Sequence, residues 1–333
     1  MAEPASCHRP SARAHRHPLT RQDDDDATNA RLAPRWYAYR CLLEGHGFRL
    51  ETCKDVKQSY HDYWAAQASE GRTVTKDLPG YIRACRAPNE DELCQDAGLP
   101  DRLFRGTQCA TGAKVVIKAV HIRSRELDVI RYLSSPAVRN HPMNHCIPVL
   151  ALVDVPQDKL AFIVMEEWCP QLTTTPCNLG RFFHALRQCI EHIAFMHSQR
   201  IAHLDISIRN VLTDCRGHYA VSDYELSHRF PVLPGVVQTP RVAGCRRTEC
   251  PPELERGESS DPYKVDVYGL GVLILRAMDL TGYEVPELRA FVRPLLRPTH
   301  EHRPTVSEAL LAFDAMVAVF DAARLAQLPR LCH

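Results

Sequence analysis

The pattern of the chain changes once, near Trp168–Pro170, and that change limits the folds open to it. Before it, short apolar runs alternate with turn signals. LFRGTQCATGAKVVIKAV at 103–120 reads as a hairpin turning at Thr111-Gly112, with a buried strand over Val115–Val120. CIPVLALVDV and KLAFIVMEEW read as two more strands, split by Pro156-Gln157-Asp158. Between these strands, SRELDVIRYLSS has apolar residues spaced for an amphipathic helix. After Pro176 helices dominate: GRFFHALRQCIEHIAFMHSQ, the apolar VYGLGVLILRAM, which must be buried, and one closing helix over VSEALLAFDAMVAVFDAARLAQL. Strands first and helices second argue for an α+β fold of two lobes. A cleft between lobes is a favoured ligand site.

Composition narrows the function classes. The 333 residues suffice for two lobes with a sizeable core. A net charge of +1 gives no bulk attraction to nucleic acid or membrane. The polar start has no apolar secretion segment, and the apolar runs are too short to span a bilayer. The 14 cysteines form no C-x-x-C pair, so reduced thiols in a soluble intracellular protein, cytoplasmic or nuclear, are expected rather than a disulfide framework. Histidines at 184, 192 and 197 with Cys189 do not share a helix face, and adjacent His145-Cys146 suits zinc poorly, so no structural metal is expected. Residues 1–34, with the run Asp23–Asp26, read as a disordered arm. Residues 35–97 read as an extension packing on the main domain, with a helix near 55–69. The domain itself spans 98–323, as lobes at 98–167 and 171–323, followed by a tail at 324–333.

The chemistry lies in a few polar residues on apolar flanks. Lys118 sits inside a buried strand, so it either pairs with a carboxylate such as Glu126 or reaches water at the strand end. The loop SQRIAHLDISIRNVLTD at 198–214 holds Asp205 and, five residues on, Asn210. Asp205 could accept a proton and Asn210 could offer an amide oxygen to a cation. Asp223 ends the next strand pair, and with Asn210 would suit magnesium. Taken singly, an aspartate there is more often a turn former.

Together, Lys118, Glu126, H-L-D at 203–205 with Asn210, Asp223 and P-P-E at 251–253 resemble the protein-kinase signature set, across 98–323. Asp266 in DPYKVDVYGLG resembles the aspartate of the buried helix under the catalytic loop, and Arg303 in EHRPT the arginine that ties down Glu253. The flanks SSPAVRNHPMNHCIPVLALVD, FIVMEEW and D-Y-E-L-S are similar to kinase-like proteins of mushroom-forming fungi. The resemblance implies a bilobal kinase-like fold with ATP in the cleft and a protein substrate. It implies Lys118 on the α and β phosphates, held by Glu126. Met165 would back the adenine pocket, with backbone bonds to the base from Glu166 and Trp168. Asp205 would be the base, and Asn210 and Asp223 would hold Mg2+.

The departures are specific. Aligned on Leu103, the glycine-rich pattern becomes D-A-G-L-P-D-R-L, keeping only Gly98 and bringing Asp96 and Asp101 toward the phosphates. D-F-G becomes D-Y-E: Tyr224 can fill the aromatic site, while Glu225 replaces the glycine and could add a metal ligand. Leu204 removes the arginine that reads a phosphorylated activation segment, although Thr248 stands in that region. Ser207 stands where serine/threonine kinases carry lysine, and Arg209 lies four after the acid, as in tyrosine kinases. The expected function is a protein kinase of the serine/threonine class, with Asp205, Lys118 and Arg209 catalytic. A pseudokinase scaffold is the alternative, followed by a small-molecule phosphotransferase of the same fold.

Overall fold

The computed structural model describes residues 29, 32–69, 71, 78–96, 98–169, 178–230, 240–244 and 247–328. The first lobe contains α1 (Arg40–Gly45), β1 (Phe48–Leu50), α2 (Cys53–Ser69), α3 (Pro79–Arg86), β2 (Leu103–Gln108), β3 (Lys114–His121), α4 (Arg125–Leu133), β4 (Val149–Val155) and β5 (Leu160–Glu166). The second contains α5 (Leu179–Ser198), short strands β6 (Ile201–Ala202), β7 (Val211–Thr213), β8 (Tyr219–Val221) and β9 (His228–Arg229), and then α6 (Pro252–Glu255), α7 (Pro262–Thr281), α8 (Pro286–Val292), α9 (Val306–Val317) and α10 (Ala322–Leu325). No described helix is long and apolar enough to cross a membrane.

The five-stranded sheet runs β1-β2-β3-β5-β4, every pair antiparallel. Side chains alternate faces along a strand, and β3 shows what that does. Val115, Ile117 and Ala119 join the outer core with Trp36, Leu43, Phe48, Phe104 and Phe162. Val120, on the other parity, joins the larger core of α4 and the helical lobe. Lys118 shares that parity, so its side chain leaves the sheet on the face where the lobes meet.

Three differences from the sequence reading concern chain ends and edges. The extension at 35–97, expected to pack on the domain, also adds a strand to its sheet. Phe48 pairs with Gln108 and Leu50 with Gly106, and Trp36 and Leu43 bury against the outer face. A side chain at Gly106 would lie 2.7 Å from the Arg49 carbonyl, so glycine permits that approach. Three residues, FRL, are too few to show alternation. The closing helix is broken: α9 ends at Val317 and α10 begins at Ala322, because Phe320 turns inward onto Phe183, with ring centroids 5.1 Å apart, and Asp321 caps the new helix through the Arg324 N–H (2.7 Å). Nine described cysteines are free thiols, but Cys250, where a reduced thiol is expected, is disulfide-bonded. Of the arm expected at 1–34 and the tail expected at 324–333, residues 1–28, 30, 31 and 329–333 lie outside the described residues. Within the arm, Asn29 is buried and accepts the His121 N–H at 2.8 Å.

Candidate active site between the lobes

Lys118 is the cation at the seam. Its Nζ lies 2.6 Å from Glu126 Oε1 and 2.9 Å from Asp223 Oδ1. Glu126 comes from the first turn of α4, whose N-cap Ser124 accepts the Leu127 N–H. A carboxylate is favoured in a first helical turn. The lysine side chain is 8% exposed and that of Glu126 3%. Burial alone would lower the lysine pKa, but the carboxylates of Glu126, Asp223 and Glu225 outweigh it and hold the group above its ordinary value. Burial pushes the Glu126 carboxyl up, Lys118 pulls it down, and Asp223 and Glu225 push it up again, leaving it raised. Three carboxylates surround a single ammonium, so Lys118 stays charged. The alternative in which Lys118 escapes to water at the strand end is excluded by these contacts.

The loop below is held by its backbone. Asp266, on α7, accepts the N–H of His203 at 2.8 Å and of Leu204 at 2.7 Å, and its Oδ2 lies 2.9 Å from His197 Nε2. Leu204 has φ 65°, a left-handed conformation costly for leucine. The Asp266 clamp compensates it, and the side chain enters an apolar cluster with Ala202, Val242, Leu254 and Val265. That cluster lies where an arginine was expected to be missing. Gly269 lets α7 approach: a side chain there would come within 3.0 Å of Ile206.

This floor presents the polar groups. Asp205 Oδ1 accepts the Thr248 N–H (2.8 Å), while its Oδ2 and carbonyl accept from Asn210 Nδ2 (3.2 and 2.9 Å). The amide nitrogen of Asn210 is thereby turned toward Asp205. Arg209 is exposed and lines the cleft; Ser207 is buried with its Oγ unpaired among the described residues.

Asp223 has φ 62° and faces Lys118. Burial would raise its carboxyl pKa, but Lys118 outweighs that and the pKa is lowered. Tyr224 points into the core, 1% exposed, with its ring 5.0 Å from that of His203. His192 Nδ1 accepts the His145 N–H at 3.0 Å, so its Nε2 carries the proton and donates to Tyr224 Oη at 2.9 Å. Tyr224 Oη in turn donates to the Val221 carbonyl at 2.9 Å. Burial holds His192 well below the ordinary histidine pKa, hence neutral. Glu225 pairs with Arg102 at 2.7 Å.

These groups surround a cavity of about 380 Å³, within the range of small-molecule sites. Val116, Ile163 and Met165 supply apolar walls, and Glu166, Trp168, Lys118, Asn210 and Asp223 also line it. The Glu166 N–H already donates to the Pro148 carbonyl (3.0 Å), which leaves only its carbonyl for a ligand. Gly98 lies in a turn, its N–H donating to Asp96, and does not line the cavity; Leu99, Pro100 and Arg102 do. Asp96 and Asp101 are not in the lining either: Asp96 is paired with Arg105, and the Asp101 carbonyl accepts Trp36 Nε1 at 2.9 Å. Arg102 carried no signal in the sequence, because an arginine in a turn before a strand reads as solvated. Carboxylate oxygens of Glu126, Asp223 and Glu225 lie within 4.8 Å of one another. Further down, Arg303 grips Glu253 through two bonds of 2.8 and 2.7 Å, both side chains almost fully buried.

A family model described as protein kinase domain matches residues 102–284, more than half of the chain. A candidate serine/threonine-protein kinase of Acanthamoeba polyphaga mimivirus is 22% identical over 258 residues, covering 66% of this chain and 90% of the relative. The serine/threonine-protein kinase-transforming protein mos of Moloney murine sarcoma virus (strain ts110) is 31% identical over 109 residues, 33% of this chain and 30% of that protein. The CTD kinase subunit alpha of Saccharomyces cerevisiae is 20% identical over 276 residues, 77% of this chain and 51% of its own. The chain thus spans most of the mimivirus protein and less than two thirds of the other two.

Proposed function

The chain belongs to the protein kinase domain family, and on that premise we propose that it transfers the γ-phosphate of Mg-ATP to a hydroxyl of a protein substrate, in the serine/threonine class. The observation that carries the reading is Lys118 bound at once to Glu126 and Asp223, which ties the sheet, α4 and the floor of the cleft into one constellation. We assign the catalytic unit to 98–323 together with the strand supplied by 48–50, and the chain to the kinase-like group of mushroom-forming fungi on its flanking motifs.

The residues fit the cofactor. Asp223 and Asn210 offer hard oxygen donors of the kind magnesium takes, and Asn210 turns its nitrogen away toward Asp205. Magnesium held there would supply positive charge against the phosphates. Lys118 is assigned to the α and β phosphates. Met165, the Glu166 carbonyl and Trp168 are assigned to the base. Asp205, oriented from both sides by Thr248 and Asn210, accepts the proton as the hydroxyl oxygen bonds to the γ-phosphorus and the bond to the leaving ADP oxygen breaks. Arg209, at the cleft, offers a cation to the transferred phosphate. Catalysis of this kind is mostly positioning and charge neutralisation.

The chain with magnesium and labelled ATP is expected to label itself or a generic substrate. Asp205→Asn is expected to reduce labelling by about 10²–10⁴-fold, the usual contribution of a positioned base; equal labelling by the variant refutes the assignment. A scaffold reading is favoured by one observation, the Arg102–Glu225 pair closing the roof onto the D-Y-E motif. Thermal stabilisation by Mg-ATP with no labelling would select it.

A further inference from the structure

The roof of the cleft has an unusual origin. Antiparallel neighbours β1 and β2 are joined not by a tight turn but by residues 51–102, which contain α2 and α3. Among the described residues of that excursion, only its end reaches the cavity, as Leu99, Pro100 and Arg102. A glycine-rich turn serves phosphates through free backbone N–H groups. Here the Leu99 N–H donates to the Asp96 carbonyl (3.1 Å), the Leu103 N–H donates to the Pro100 carbonyl (2.8 Å), and Pro100 has none.

What the roof offers instead is a guanidinium. The Arg102 carbonyl accepts the Ala119 N–H at 2.8 Å, fixing its backbone beside Lys118 on β3. Its Nη2 reaches Glu225 at 2.7 Å with the two side chains 18% and 15% exposed. Its Nε is buried with no partner among the described residues. The three clustered carboxylates of Glu126, Asp223 and Glu225 face two cations, Lys118 and Arg102. Without Arg102, a polyphosphate would meet a larger excess of negative charge.

We propose that Arg102 is the phosphate-binding element of this roof, exchanging the Glu225 carboxylate for an oxygen of the nucleotide's polyphosphate. The inference rests on the kinase reading above. Glu225, in place of the glycine of D-F-G, is then the partner that holds Arg102 over the cavity until nucleotide arrives. A guanidinium suits both partners, because its planar donors match carboxylate and phosphate alike.

Calorimetric titration of the full chain with adenosine, Mg-ADP and Mg-ATP tests it. Arg102→Met is expected to weaken both nucleotides by about tenfold, the size of one charge-assisted hydrogen bond, and to leave adenosine unchanged. Arg102→Lys is expected to restore part of the loss, and Glu225→Gln to tighten Mg-ATP by removing the competitor. Equal weakening of adenosine and Mg-ATP by Arg102→Met would mean a structural role and overturn the proposal, as would no change in either. If wild type binds Mg-ATP and Arg102→Met binds it equally, this proposal alone falls. If wild type binds no Mg-nucleotide, the kinase reading falls and takes this one with it.

Discussion

The floor and the roof of the cleft are built on different principles. The floor is held by buried polar pairs: Asp266 under His203 and Leu204, His192 on Tyr224, Arg303 on Glu253. The roof is held by partly exposed ion pairs, Arg105 with Glu167 and Asp96 and Arg49 with Asp55, while the more enclosed Arg102–Glu225 pair borders the cavity. Buried networks are costly to break because the remaining member loses both partner and solvent. Exposed pairs are inexpensive to break because water replaces the partner. The floor should therefore be rigid and intolerant, and the roof adjustable, which is what a phosphate-exchanging arginine needs.

That contrast breaks first at its strongest point. Arg303→Met leaves Glu253 buried without its bidentate partner and should cost about 3–5 kcal/mol, read as a fall in the denaturation midpoint at constant slope. A loss under about 1 kcal/mol, the value of a surface pair, would end the claim that the floor is built on buried networks. Asp266→Ala strips two loop N–H groups of their acceptor, and about 1–3 kcal/mol is expected for each. It should also reduce labelling, since Leu204 loses the contact that offsets its left-handed backbone. Tyr224→Phe keeps the ring and orphans the His192 Nε2 proton, for a loss of about 1–3 kcal/mol. A smaller effect would mean that water enters the cavity beside His192.

The roof gives the smallest effects. Arg105→Met should cost no more than about 1 kcal/mol, although it frees both Glu167 and Asp96. The acid range tests a carboxylate in each region. The Asp55 carboxyl is opposed by burial but drawn down to about 2 by Arg49 and Thr52. A depressed folded value stabilises the protein above the ordinary carboxylate pKa and loses that stabilisation as pH falls through the folded one. The difference in stability between wild type and Asp55→Asn should therefore be constant at neutral pH and vanish as pH falls from near 4 to 2. Asp223, also lowered, behaves with the same sign: acid releases its tie to Lys118.

Much of the site was readable because it is local. The spacing from Asp205 to Asn210 and the position of Asp223 after a strand pair are features of short segments, as is the first-turn place of Glu126. The strand β1 was not readable, since three residues carry no period, and neither was the break before α10, which follows from Phe320 finding Phe183. Gly98 was expected near phosphates because a pattern was laid along the chain, but its turn faces Asp96 instead. Arg102 was missed for the converse reason: its partner is far off in sequence.

The alternation of β3 by itself determined that Lys118 leaves the sheet opposite Ile117, and the helical spacing of α4 and α5 determined which of their faces are apolar. Those are consequences of backbone periodicity, which each segment carries with it. Only the tertiary structure decided that Arg102 meets Glu225 and that residues 48–50 complete the sheet. Such pairings depend on where the chain is led by everything between them, and no short-range pattern encodes that path.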